Sequence, residues 1–230
     1  MPTHSLHHSY PESYEPPKKY VLVLSCVDAR LLDDLVSFLD HDNLTNRYYH
    51  VTLPGTALGL TERWKEDQPE PCDGGEGGKK SDRKPCFIFD LPEQFARWRK
   101  TFIDQVNAAI ILTKGEITDV YIIQHEDCGA FRAYIQKDSS EMSDEYELQL
   151  HKQYAEALVQ DIADRFYSEY NPKDTDDKFA QEKLPRLHAF YMDLRGHVQH
   201  LSTYSDEGSK ESKKPTKKAP PKPSNRKKAT

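Results

Sequence analysis

The sequence predicts an α/β fold with a mainly parallel sheet flanked by helices. Three observations lead there. Short apolar runs rich in β-branched residues recur along the chain, as in strands buried on both faces. Segments with apolar residues at helical spacing lie between them. The resulting order, strand–helix–strand–helix–strand–helix–helix–strand, is that of parallel strands joined by crossovers.

Each element has its own signal. Residues 1–18 (MPTHSLHHSYPESYEPPK) read as a disordered or extended arm with nothing to bury, and His4, His7 and His8 as loose surface histidines. Tyr20–Ser25 (YVLVLS) is the first strand. Leu31, Leu35, Phe38 and Leu39 then fall at i, i+4, i+7 and i+8, one face of a helix. Tyr48–Leu53 is the second strand, stopped by Pro54-Gly55. Residues 65–86 read as a flexible insertion. Its GGEGGKKS piece resembles a phosphate-cradling loop, but Lys80 stands where Ser or Thr is required. Cys72 and Cys86 bracket the insertion as isolated loop cysteines, with pairing or a shared metal as the alternative.

Leu91–Lys114 is a helix. Pro92 suits its start, Phe95, Trp98, Phe102, Val106 and Ile110 keep helical spacing, and Gly115 suits its end. Thr118–Gln124 (TDVYIIQ) is the third strand. Gly129–Gln136 restarts a helix, and 144–170 is a longer one with Leu150, Tyr154, Leu158, Ile162 and Phe166 on one face. Leu187–Leu194 is the last strand. The expected folded unit is 19–204, and 205–230 is a disordered basic tail.

Composition agrees with one folded unit carrying polar appendages. The chain has 230 residues, 36% hydrophobic and 30% charged. No apolar run is long enough to predict a transmembrane helix. No apolar segment at the N-terminus predicts a secretory signal, so a cytoplasmic protein is expected. The formal net charge is −6. Residues 208–230 hold nine Lys or Arg and one Glu, a local charge of +8 that leaves −14 for the rest. An acidic body argues against a face built to hold nucleic acid. The tail alone could contact polyanions; a solubilising role is the plainer reading.

Two of the four cysteines occupy equivalent places. Cys26 follows the first strand, while His125 and Cys128 follow the third. Sites in open α/β sheets form outside the carboxyl ends of strands, so these residues can converge. Two thiolates and an imidazole suit zinc, neutralise its charge and leave a fourth position open. Two ordinary buried cysteines and a structural histidine are the alternative. In Cys26-Val27-Asp28-Ala29-Arg30, Asp28 and Arg30 are close enough to pair. Such a pair keeps a carboxylate ionised and oriented beside the ligands.

C-x-D-x-R at Cys26–Arg30 and H-x-x-C-G at His125–Gly129 together resemble the β-class carbonic anhydrases, and among them the divergent bacterial members. The likeness covers roughly Tyr20 to His200 outside the insertion. It implies a zinc lyase that reversibly hydrates CO₂ to bicarbonate and a proton through zinc-bound hydroxide. Cys26, His125 and Cys128 would be the ligands to one Zn²⁺ per chain. Asp28 and Arg30 would form the catalytic dyad, with Asp28 able to close the site as a fourth ligand. The resemblance also implies a homodimer or a larger even-numbered homo-oligomer.

The chain departs from that pattern in places. Leu53-Pro54-Gly55-Thr56-Ala57 stands where the family carries R-N-A-G, and Ala130 follows Gly129 where a second Gly is commoner. Glu126 and Asp127 place two acids beside the ligands. These departures leave two alternatives: a related zinc hydrolase acting on CS₂ or COS, or a zinc-binding interaction protein without turnover. His41, His50, His151, His188, His197 and His200 are the candidate proton carriers by pKa alone.

Overall fold

The structure is a computed structural model that describes residues 9–67, 91–135, 142–171 and 181–205. The sheet has five strands: β1 (Tyr20–Ser25), β2 (Tyr48–Thr52), β3 (Ile117–His125), β4 (Arg186–Met192) and β5 (Val198–Tyr204), in the order β2-β1-β3-β4-β5. Pairing is parallel from β2 to β4 and antiparallel between β4 and β5. The α/β class and the mainly parallel sheet therefore hold. The antiparallel β5 differs from the sequence expectation, in which the run ending at Leu194 is the last strand. Its sequence, VQHLSTY, lies on a half-exposed edge and lacks the continuous apolar run of β1.

The helices are α1 (Leu32–His41), α2 (Leu91–Leu112), α3 (Gly129–Ile135) and α4 (Asp144–Arg165). A short 3₁₀ turn, Ala29–Leu31, precedes α1, and the Asp28 side chain caps it by accepting the Arg30 N–H. The helix α2 ends where Gly115, at φ +76°, donates its N–H to Ile110 O. Glycine suits that left-handed position because it has no Cβ to clash. Ser143 caps α4 through Tyr146 N–H, and a π-helical turn, Phe166–Tyr170, follows.

Strand alternation divides the core between two faces. On one face, Phe38 of α1 meets Tyr121 and Phe190, with ring centroids 6.0 and 5.2 Å apart. On the other, Leu22 and Val120 face Phe102, Ile110, Ile162 and Phe166 from α2, α4 and the π turn. Each such buried side chain contributes roughly 1.5–3 kcal/mol.

The N-terminal arm requires a correction. Residues 9–18 have no helix or strand, yet they are packed against the domain. Tyr10 lies on Phe38 and His41, and Tyr14 on Phe190 with centroids 5.0 Å apart. The Tyr14 hydroxyl donates to buried Asp42, which also accepts from Tyr121 OH at 2.6 Å. Ser9 O accepts the Val198 N–H. Two tyrosines in a proline-rich segment gave the arm something to bury after all.

His4, His7, His8, Cys72, Cys86, the GGEGGKKS piece and the basic tail lie outside the described residues.

Candidate metal centre

The chain leaves β1 toward one face and β3 toward the other, so a crevice opens at their adjacent carboxyl ends. Open α/β sheets bind ligands at such a switch point. Register places Ser25 beside Ile123, so Cys26 emerges next to Gln124 and His125. Cys128 lies just before α3.

The structure brings the three expected ligands together. One ligand atom each from Cys26, His125 and Cys128 lies within 4.8 Å of the others, and all three residues are buried. The two Sγ atoms are 3.9 Å apart. Two sulfurs held about 2.3 Å from one tetrahedral ion sit about 3.8 Å apart, so this spacing suits zinc. The His125 Nδ1 lies 2.7 Å from Glu126 O, which suits an Nδ1–H donor and leaves Nε2 its lone pair. That Nε2 is buried and has no protein partner. An orphaned buried acceptor beside two thiols is costly unless something binds it. The donor set therefore fits a metal ion that favours sulfur and nitrogen, as zinc does.

Electrostatics prepares the site. Cys128 shares its S–H with Cys26, and His125 and the Gly55 N–H, 3.3 Å from the Cys26 sulfur, add to it, so the Cys26 thiol is drawn well below its ordinary range. The neighbouring Cys26 sulfur and burial push Cys128 upward. One thiolate therefore forms readily in the protein, and binding a cation would take the second proton.

The Gly55 donor comes from the Leu53–Ala57 segment after β2. Gly55 has φ +69°, and a Cβ there would meet Leu58 Cβ at 2.9 Å. Thr56 Oγ1 donates to Ile123 O at 3.1 Å, tying the segment to β3.

Asp28 and Arg30 form the expected pair. Arg30 Nε reaches Asp28 Oδ1 at 3.0 Å and Nη2 reaches Oδ2 at 2.7 Å. Its other contacts were not expected: Nη1 donates to Asp127 Oδ2 at 2.7 Å and Nη2 to Asp127 O at 2.9 Å. Asp127 also pairs with Arg132 at 2.6 Å, and Glu126 accepts the Leu194 N–H. Both loop acids thus hold structure around the ligands.

A cleft of about 310 Å³ opens beside Cys26 and Asp28. Val27, Leu31, Leu32 and Leu35 give it apolar walls, while His50 and Ser25 add polarity. His50 Nε2 and Ser25 Oγ are 2.7 Å apart, and burial lowers the His50 pKa. Among the candidate proton carriers, His50 is the one that lines this cleft. His41 meets Asp42, His197 meets Asp193, and His188 and His200 share Thr203. His151 is buried below His125, with ring centroids 6.4 Å apart.

Sequence reading missed Glu147. It is buried in the first turn of α4, and its two carboxylate oxygens accept the Asp127 N–H at 3.1 Å and the Cys128 N–H at 3.2 Å. Acids are ordinary in a first helical turn, so no local signal marks this one.

No protein-family model matches the chain. It is similar to an uncharacterized protein of Rickettsia bellii (strain RML369-C), 23% identical over 117 residues. That stretch is 51% of this chain and 52% of the relative, so the chain spans about half the length of the curated relative it matches. The relative's description names no activity. In this structure no helix among the described residues is long and apolar enough to cross a membrane.

Proposed function

We propose that this protein is a zinc-dependent carbonic anhydrase of the β-class kind, interconverting CO₂ and water with bicarbonate and a proton. One observation carries the reading. Cys26 of the buried Cys26–His125–Cys128 group and Asp28 of the ion-paired Asp28–Arg30 dyad line the same largely apolar cleft. A purely structural metal would need neither the dyad nor the cleft.

Zinc, when bound, supplies Lewis acidity and a nucleophile derived from water near neutral pH. The protein's own groups do the rest. Arg30 occupies both Asp28 oxygens, which keeps the carboxylate ionised and fixes its direction. Asp28 can then accept a hydrogen bond from a reacting water and hold its lone pair toward substrate. The intact pair corresponds to the open form of the site. Val27, Leu31, Leu32 and Leu35 provide walls suited to a small apolar molecule. The reaction releases a proton, and His50, whose Nε2 lies 2.7 Å from Ser25 Oγ in the same cleft, is the imidazole placed to carry it.

The resemblance extends to a dimer. The β2 edge of the sheet and the exposed Val27, Leu32 and Val36 are where a second copy would sit.

The test is CO₂ hydration by stopped flow, with zinc content measured on the same sample from about pH 6.5 to 9. The reading requires a rate well above buffer that chelation abolishes. Asp28→Asn should keep the metal and lose roughly 10²–10⁴-fold in turnover. Zinc bound without CO₂ turnover would shift the substrate to CS₂ or COS. Inertness toward those as well would leave a zinc-binding interaction protein.

A further inference from the structure

Glu147 lies where an acid normally faces water. Here it is 3% exposed and turned inward beneath the His125–Cys128 turn. Its two oxygens take two consecutive backbone N–H groups, those of Asp127 and Cys128. The turn needs such support, because Asp127 sits at φ +55°. Left-handed backbone is unfavourable for a non-glycine residue, because its Cβ crowds the following carbonyl oxygen.

Asp127 is held at its other end too. Arg30 and Arg132 grip its carboxylate, and Arg30 also donates to its carbonyl. The same guanidinium holds Asp28. One residue therefore joins the backbone that presents Cys128 to the dyad that follows Cys26. Glu147 fixes that residue from below.

We propose that Glu147 is a positioning residue: it shapes the Cys128 side of the metal centre before a metal arrives and, through Asp127, locks that side to the Asp28–Arg30 pair. The proposal rests on reading Cys26, His125 and Cys128 as metal ligands. It does not depend on which substrate follows. Because the clamp holds the turn that presents Cys128, removing it weakens metal retention. Outer partners of metal ligands typically carry 10–100-fold in affinity.

The variants are Glu147→Gln and Glu147→Ala in the full chain, with exposed Glu145→Ala as control. Glutamine keeps the shape but sets an amide donor against one backbone donor, so one of the two bonds fails. Zinc affinity is measured by competition with a chromogenic chelator. Cobalt(II) loading reads thiolate ligation through its charge-transfer absorption. Thermal unfolding of the metal-free proteins reports the fold.

The expected result is about 10-fold weaker zinc binding for glutamine and up to about 100-fold for alanine. The cobalt spectrum should change in both, and the control should match wild type. If alanine fails to fold, glutamine decides. Wild-type affinity and spectrum in a folded glutamine variant overturn the proposal. So does an affinity loss with an unchanged cobalt spectrum and an equal loss of metal-free stability, since that marks a general structural role. A wild-type chain that takes up neither metal overturns the metal reading and this proposal together. Weakened binding in variants of a protein that does not hydrate CO₂ upholds the clamp and overturns only the substrate.

Discussion

Arg30 holds Asp28 from both sides, with Nε and the backbone N–H on Oδ1 and Nη2 on Oδ2 at 2.7 Å. These hydrogen bonds and the guanidinium charge draw the Asp28 pKa down to about 2. An unfolded aspartate titrates near about 3.9. A depressed folded value means that the ionised form favours the folded state. That contribution is fully present above about pH 4 and is lost as pH falls through about 2. Carboxyl ¹³C NMR should therefore show a midpoint near 2 and no Asp28 titration near neutrality. A midpoint near the unfolded value would mean that the pair does not form in solution.

Cys128 is fully buried, and its sulfur faces Cys26. Cys128→Ser replaces a good zinc ligand with a hydroxyl that stays protonated at neutral pH. Metal content by plasma mass spectrometry should fall to a small fraction of one per chain, and any CO₂ hydration should fall with it. A fully loaded serine variant would remove Cys128 from the ligand set.

Gly55 combines φ +69° with a close approach to Leu58 and Phe131. Gly55→Ala should destabilise the protein by about 1–3 kcal/mol, because strain and crowding act together. It should also loosen the N–H donor to Cys26. Urea unfolding measures the first effect and chelator competition the second. A variant as stable as wild type would show that the segment can relax without cost.

Tyr14→Phe removes one of two hydroxyls on buried Asp42 and leaves the ring in place. A loss of about 1 kcal/mol is expected, with the arm still docked. Tyr14→Ala should cost more, since contacts to Phe190 and Tyr121 go as well. Protease accessibility of residues 9–18 separates the two cases. Equal accessibility in wild type and the alanine variant would show that Tyr14 does not anchor the arm.

The parts of the molecule legible in the sequence are those whose signal is local. The strands β1 and β3 are buried on both faces, so their apolar runs stand out. The ligands fall at or just after the carboxyl ends of strands, where topology gathers them, and Asp28 and Arg30 are two positions apart. What escaped notice depends on distant partners. The strand β5 mixes polar and apolar residues because its edge is half exposed. Tyr10 and Tyr14 sit among prolines, and only the folded sheet offers them a surface. Glu147 looks like any helix-start acid until α4 lies against the loop before α3. The Gly55 N–H matters only because Cys26 lies beneath it.

Tyr14 rests on Phe190 and lies 5.3 Å, centroid to centroid, from His200. It precedes every strand of the domain in chain order, and these two neighbours lie in the last two strands. During synthesis the three candidate ligands are all present once Cys128 has emerged, and Glu147 follows soon after. The seat for the arm is complete only with β5, which supplies Val198 to Ser9 and His200 to Tyr14. A nascent chain halted before β5 would thus carry the whole donor set while the arm lacked part of its seat. Contact of the arm with β5 then reports that the domain is finished, so a probe of the Tyr14–His200 contact would time the end of folding and not its beginning.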